Sequence, residues 1–333
     1  MTDDPKNPDD NREQLIYTGI HLDRAGLMRR DEAWLAGSLA SEGARIVAVW
    51  RNRSLVAHGD DGPRALMPEG GRAADLIAAA SNLVFLGLDP NQVPYFGADL
   101  SHLDEHDAIE LASTGAGESG SFVDLRQLGW LIPRNDAGVL AYARGLAYWH
   151  RTHGFCGRCG SATESRDGGH MRQCTNTECA RPSFPRTDPA VIMLVEHPGD
   201  AETPPSCLLG RSGRWEFPLY STLAGFVEPG ESLEEAVARE VLEETNIQVA
   251  VRDVHYMGSQ PWPFPASLML GFRATARSRE ITIDPKELED ARWFTVEEVS
   301  RFKEWDTAAS DEPRLPRRDS IARWLVQSWL EDV

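Results

Sequence analysis

The sequence predicts an α+β chain in three parts: a mixed α/β amino-terminal domain, a four-cysteine zinc ribbon, and a second domain of strands flanked by helices. Three observations predict it. Short β-branched runs bounded by Gly, Asp or Asn lie on both sides of a middle segment, and that segment holds four of the chain's five cysteines. A capped helical pattern rich in carboxylates follows at residues 232–246. With 333 residues the chain has room for two or three domains at roughly 150 residues each. Its 41% apolar content is enough to pack their cores. The net charge of −18 argues against a protein that holds long nucleic acid mainly by attraction. A small polyanion is still compatible with that charge, because a metal ion can reverse the local sign.

Residues 1–15 (MTDDPKNPDDNREQL) are acidic and rich in Pro and Asn, and they read as a disordered lead-in without the basic and apolar regions of a signal peptide. No apolar run approaches the roughly 20 residues that span a bilayer. The closing WLEDV carries no retention or lipidation signal, so the expectation is a cytoplasmic protein away from membranes. Within residues 16–150, ARIVAVWR, SLVAHG and SNLVFLGL read as strands and AADLIAAAS as a short helix. Residues 100–120, polar, acidic and rich in Gly and Ser, read as a surface loop. At residues 138–152, Val139, Tyr142, Ala143, Leu146, Ala147 and Trp149 recur at helical spacing, so a helix leads into the cysteine segment.

In residues 151–185, Cys156 and Cys159 (CGRC) are followed after 14 residues by Cys174 and Cys179 (CTNTEC). Two such pairs in a reducing compartment bind metal rather than form disulfides, and four thiolates suit one tetrahedral Zn²⁺ per chain. A redox CxxC is the plainer alternative. Four cysteines close the coordination shell, which makes this zinc structural. On that count His153 and His170 are surface histidines rather than ligands, and Cys207 in SCLLG is an ordinary core strand residue.

From residue 186 to 333, AVIMLVEH, CLLGR, VHYMGSQ, SLMLGFRATA and ARWFTV read as strands, with a Pro-rich loop after the first and a closing helix at SIARWLVQSWL. The informative stretch is GFVEPGESLEEAVAREVLEETNI, residues 225–247. Ser232 and Glu235 form a capping box, so a helix starts near Leu233, and Asn246 suits a left-handed residue at its end. At about 100° per residue, Leu233, Val237, Glu240 and Glu244 share one stripe, with Glu243 beside it. Like charges at i,i+4 on an apolar stripe destabilise a bare helix. A hard divalent cation removes that repulsion, and oxygen ligands suit Mg²⁺ or Mn²⁺. An acidic surface helix held by Arg239 is the alternative.

Residues 225–247 resemble the Nudix box: Gly225, five residues, Glu231, seven residues, then Arg239-Glu240-Val241-x-Glu243-Glu244, with Asn246 where the family has Gly. The resemblance implies the α/β/α sandwich of the Nudix hydrolases, which cleave a diphosphate joined to another moiety with divalent metal. SQPWPFPAS, residues 259–267, resembles the signature of the NADH pyrophosphatase subgroup, as do the upstream ribbon ending in FPRTDPAVIM and the phrase YSTLAGFVEPGES. The likeness covers residues 120–330 well and residues 1–120 only in layout.

The resemblance implies roles. Catalytic metal would be held by Glu240, Glu244, Glu287 (in DPKELEDARWF) and the backbone carbonyl of Ala224. Glu243 or Glu287 would serve as base. Substrate would be met by Gln260, Pro261, Trp262, Pro263, Phe264, Pro265, Ala266 and Ser267, with Phe226 against the nicotinamide ring. Arg126 (in DLRQLGW) and the backbone of Ala322 (in SIARW) would be further contacts. Phe184 stands where relatives commonly have Tyr and would reach the site of a partner subunit, which implies a homodimer. Apart from the likeness, the prolines of PWPFP fix an extended backbone and present two aromatic rings with little entropy left to lose.

The implied reaction is hydrolysis of NADH or NAD⁺ to AMP and NMN(H), with removal of 5′ NAD caps from RNA in some members. Two other readings compete: a Nudix hydrolase of another diphosphate, such as ADP-ribose or a diadenosine polyphosphate, and a zinc-ribbon nucleic-acid binder whose Nudix domain only binds. Intact Glu240, Glu243 and Glu244 and the acidic charge weigh against the last.

Overall fold

The computed structural model describes residues 15–60, 62–307 and 311–332, so the expected lead-in lies, apart from Leu15, outside the described residues. The chain forms two compact units. One comprises residues 17–187 together with 262–266, and the other comprises residues up to 16, 188–261 and 267 onward.

In the first unit a mixed sheet runs in the order β3 (Gly62–Ala65), β2 (Arg53–Gly59), β1 (Arg45–Trp50), β5 (Pro94–Asp99), β4 (Asn82–Leu88), with β6 (Ser121–Asp124) also on β2. β1 and β5 are parallel, with Ile46 opposite Phe96, and the other pairs are antiparallel. Ile46, Leu55, Phe85, Phe96 and Phe122 build its core. The helix Arg134–Thr152 buries Val139, Ala143, Leu146, Ala147 and Trp149, as the spacing predicted, while Tyr142 is half-buried and Leu140 is buried as well. The short helix at Ala74–Ala79 is also present.

Residues 100–120 depart from the loop reading, since Glu105–Ala116 is helical. The physical reason is local. Asp104 caps the helix by accepting from the Asp107 N–H at 2.9 Å, and Glu105 and Asp107 sit at the positive end of the helix dipole. Gly117 ends it in the left-handed region (φ 72°), so the Gly and Ser content marks the terminus rather than a loop. Ala108 and Ala112 are small enough to bury against the sheet core.

The ribbon is a three-stranded antiparallel sheet of β7 (Thr163–Arg166), β8 (Met171–Cys174) and β9 (Pro182–Ser183). It belongs to the first unit.

The second unit is an α/β/α sandwich. Its sheet runs β13 (Val249–Trp262), β14 (Ser267–Ala276), β10 (Asp188–His197), β11 (Ser206–Arg211), β15 (Asp290–Thr295), with β12 (Leu223–Phe226) also paired to β10. β10 is central and covered on both faces, which is why AVIMLV is unbroken apolar sequence rather than alternating. Val191, Met193 and Val195 face the helix Leu233–Thr245 through Ala236, Val237 and Val241. Ile192 and Leu194 face the helix Ile321–Asp332 through Trp324, Leu325 and Trp329. Cys207 is fully buried in this second core, as expected. No helix among the described residues is long and apolar enough to cross a membrane.

Candidate active site

The helix Leu233–Thr245 begins with both halves of the capping box: Ser232 Oγ accepts from the Glu235 N–H (3.2 Å), and the Glu235 carboxylate accepts from the Ser232 N–H (2.8 Å). Asn246 ends it at φ 60°, taking the left-handed conformation usually left to Gly. One arginine organises the acidic face. Arg239 donates to both oxygens of Glu231 (2.5 and 2.9 Å), to Glu240 (2.8 Å), to Glu243 (3.1 Å) and to the carbonyl of Phe226 (3.0 Å). Its hydrogen bond to Glu231 holds that carboxyl at about 2, far below the usual range.

Glu244 is buried, and its carboxyl is pushed up to about 8, first by burial and then by the charges of Glu240, Glu287 and Glu243. The charges of Glu240, Glu287 and Glu243 thus act together on Glu244, while Arg239 is ion-paired with Glu231, Glu240 and Glu243. The oxygens of Glu240, Glu244 and Glu287 do not all approach within 4.8 Å of one another. A Cβ at Gly225 would lie 1.9 Å from the Glu240 carboxylate, so any other residue there would push that carboxylate aside. Ala224 pairs with Ile192 across β12 and β10, and Phe226, at the strand's end, is 62% exposed. The donor set, a buried carboxylate with like-charged neighbours, fits a hard divalent cation.

The PWPFP segment has a different environment. Gln260 is fully buried, and its amide donates to the Asp319 carbonyl (2.7 Å) and accepts from the Ile321 N–H (2.8 Å). Those bonds make it an anchor for the loop start and for the helix carrying Ala322, itself 6% exposed. Trp262 and Phe264 meet edge to face at 5.0 Å, and Tyr17 packs on both. The Arg144 guanidinium lies 4.5 Å from the Phe264 ring centre and that of Arg126 lies 5.7 Å away, with Arg126 paired to Asp124 at 2.6 Å. Pro261 is half-buried, Pro263 is buried, Pro265 is exposed and follows a cis bond, and Ala266 leads into Ser267, opposite Asp188 in the sheet. Sequence reasoning missed Tyr17, Asp124 and Arg144. Nothing in the sequence near Tyr17 or Arg144 points 120 or more residues ahead to this loop, and only Arg144, a charge among the apolar positions of its helix, offered a signal.

The four cysteines come together as expected, with every Sγ within 4.8 Å of the others and two gaps of 3.5 and 3.9 Å. Those gaps are too long for disulfides and match the separation of about 3.8 Å that a tetrahedron with Zn–S bonds near 2.3 Å requires. The Arg158 N–H donates to Cys156 Sγ at 3.5 Å. His153 and His170 stand outside the cluster, but the reading of both as surface residues is corrected: both are half-buried, with His153 Nδ1 3.1 Å from the Trp149 carbonyl. His170 Nε2 meets the Phe85 carbonyl at 2.7 Å, and burial lowers its pKa to about 4. Phe184 is 60% exposed and Glu287 is exposed. One further group, His106, Asp107 and Glu110, sits fully exposed on its helix, a solvated face.

Three family models match consecutive stretches of the chain: an NADH pyrophosphatase-like rudimentary NUDIX domain over residues 43–149, an NADH pyrophosphatase zinc ribbon domain over 151–184, and a NUDIX domain over 186–317. Residues 186–317 are a Nudix domain. The stretches before it are of the NADH pyrophosphatase type, with a zinc ribbon whose four cysteines suit structural zinc, and the Nudix domain implies a divalent metal. This Nudix chain is 41% identical over 208 residues to NAD-capped RNA hydrolase NUDT12 of Homo sapiens, covering 60% of this chain and 43% of that one. It is 42% identical over 237 residues to Nudix hydrolase 19, chloroplastic, of Arabidopsis thaliana, covering 66% of this chain and 53% of that one. It is 43% identical over 194 residues to NAD-capped RNA hydrolase NudC of Pseudomonas syringae pv. syringae, covering 58% and 62%. The Nudix chain thus spans about half the length of the curated relatives it matches.

Proposed function

We propose that this protein hydrolyses the diphosphate of NAD(H) to AMP and NMN(H), and that it removes 5′ NAD caps from RNA by the same reaction. The observation that carries the reading is the buried carboxyl of Glu244, ringed by Glu240, Glu243 and Glu287. Such a site is unfavourable until cations enter it, and a diphosphate brings further negative charge that the same cations offset. The names of the relatives and the two NADH pyrophosphatase-type models point to the substrate.

Glu240, Glu244, Glu287 and the Ala224 carbonyl would hold Mg²⁺ or Mn²⁺. When bound, the ions supply charge neutralisation at the phosphate oxygens as the transition state forms. Glu243, with its side chain 59% exposed and held by Arg239 at 3.1 Å, would take the proton of an attacking water through its remaining lone pairs. Water oxygen forms the new bond to phosphorus, the bridging P–O bond breaks, and the leaving phosphate departs with its electron pair. Arg239 keeps Glu231, Glu240 and Glu243 in register. Phe226 and the rings of Trp262 and Phe264 would stack on the substrate's planar groups. A homodimer in which Phe184 reaches the partner's site belongs to the same reading.

Incubation with NADH and Mg²⁺ or Mn²⁺, followed by chromatography, tests it. AMP and reduced NMN are the expected products. An unchanged NADH peak beside cleaved ADP-ribose or diadenosine polyphosphate would overturn the substrate and leave the Nudix chemistry standing.

A further inference from the structure

Within the unit that carries the carboxylates, one loop presents an aromatic ring to solvent beside the acidic site. Residues 212–222 join β11 to β12. Where the loop leaves β11, the Arg211 carbonyl accepts from the Glu289 N–H at 2.8 Å. Two residues before Glu289 stands Glu287, whose charge raises the Glu244 carboxyl. Where the loop returns, Ser221 and Gly210 exchange two backbone hydrogen bonds of 2.8 and 2.9 Å, three residues ahead of Ala224. Both ends of the loop are therefore tied to segments that carry the candidate metal site.

Trp215 stands in this loop, 42% exposed, and other rings hold it in place. It meets Trp305 edge to face at 5.1 Å, and Trp305 meets Phe217 in the same way at 5.1 Å. Behind them the buried Arg314 lies 4.6 Å from the Phe217 ring centre and donates to the Trp305 carbonyl at 3.3 Å. A surface ring braced by two half-buried ones is already ordered, so a planar ligand pays little to use it. The preceding residue, Arg214, is exposed, and no ion pair to it is present among the described residues; neighbouring Glu216 does not pair with it, and Glu289 pairs with Arg211 instead. An aromatic face next to an unpaired guanidinium suits one nucleotide of a single strand, the base on the ring and the phosphate on the cation. Phe226 and the rings of the PWPFP loop already provide for the two planar groups of NAD(H) in the reading above, which leaves Trp215 for a base beyond the dinucleotide.

We propose that Trp215 stacks on the base of the nucleotide that follows an NAD cap in RNA, with Arg214 on the phosphodiester that joins that nucleotide to the cap. The proposal rests on the reading above that NAD-capped RNA is a substrate. Stacking is tolerant of base identity, because every base has a π-face, so the platform favours capped RNA over the free dinucleotide without selecting a sequence. NADH ends at its adenosine and has nothing to place there.

The test measures kcat/KM for NADH and for two NAD-capped single-stranded RNAs, one with a base and one abasic at the nucleotide after the cap. It uses the full chain as wild type, Trp215→Leu and Arg214→Gln, at several salt concentrations between about 50 and 200 mM. The wild type should prefer the RNA with the base by about tenfold, and Trp215→Leu should lose that preference. Arg214→Gln should weaken both RNAs alike and make their salt dependence shallower by about 0.7 in log–log slope. NADH hydrolysis should be unchanged in both variants, which also shows that they are folded. A wild type indifferent to the base would overturn the proposal without recourse to any variant. So would a Trp215→Leu protein that keeps the preference or loses NADH hydrolysis to the same extent, an Arg214→Gln protein with the wild-type salt dependence, or a wild type that cleaves NADH and leaves capped RNA intact. Failure of the wild type on NADH and capped RNA together would instead sink the reading on which the proposal rests.

Discussion

At the scale of single residues, Glu244 shows how one buried carboxyl couples stability to function. Its carboxyl sits at about 8 against an ordinary 4.5, so between those values the folded, metal-free protein holds a proton that the unfolded chain has released. Stability without divalent metal therefore falls as pH rises through that window. Glu244→Gln removes the burden and the ligand together. NADH hydrolysis should drop at least about 100-fold, while thermal unfolding near the top of the window, without added divalent ions, occurs no lower than in wild type. A variant that still turned over NADH at the wild-type rate would remove Glu244 from the metal site. Gly225→Ala should also cost activity heavily, since the added methyl occupies the place of the Glu240 carboxylate. His150 runs the opposite way. Buried, with Nε2–H on the Gly169 carbonyl (2.8 Å) and Nδ1 accepting from Arg172 (2.8 Å), it has a pKa lowered to about 4. A depressed histidine gives stability that is complete above its ordinary 6.5 and is lost as pH falls towards 4. With His170 behaving alike, melting temperatures should decline across that range, each histidine contributing roughly 3 kcal/mol at most. A flat profile would refute the assignment.

At the scale of elements, local chemistry was legible wherever a motif completes itself within a few residues. Ser232 to Asn246 is a helix whose cap, stripe and stop are all written in one stretch, and each is in place. The ribbon is similar: four cysteines at fixed spacing specify a sulfur tetrahedron before any fold is known. Metal analysis of the purified protein should give close to one zinc per chain, and chelation should lower the melting temperature of the ribbon's unit. A value near zero would mean the tetrahedron is empty or redox-active. The helix at residues 105–116 is hard to read from sequence because its polar residues line the solvent face, and the few small residues that bury are uninformative in isolation. The amide of Gln260 is bonded to the backbone of Asp319 and Ile321, partners that no local pattern announces.

At the scale of the whole molecule, the prediction is oligomeric. Light scattering should report about twice the 36.9 kDa chain mass if Phe184 completes a partner's site. Phe184→Ala should then raise KM for NADH without unfolding the chain, and a monomer in solution would end that reading.

By itself the sequence determined the sandwich, the ribbon and the acidic helix, because periodicity, capping and cysteine spacing are properties of neighbouring residues. It also determined the Nudix relationship, through a box of fixed length. Tertiary structure alone decided what meets what across long stretches of chain. Tyr17, Asp124 and Arg144 gather at Phe264 from positions more than 100 residues away. Glu287 raises the carboxyl of Glu244 from the far side of β13 and β14 in sequence. Arg144, over the Phe264 ring, donates to the carbonyl of Asn52 in the turn between β1 and β2. Contacts of that kind depend on how packed layers bring distant segments together, and no window of sequence carries that information.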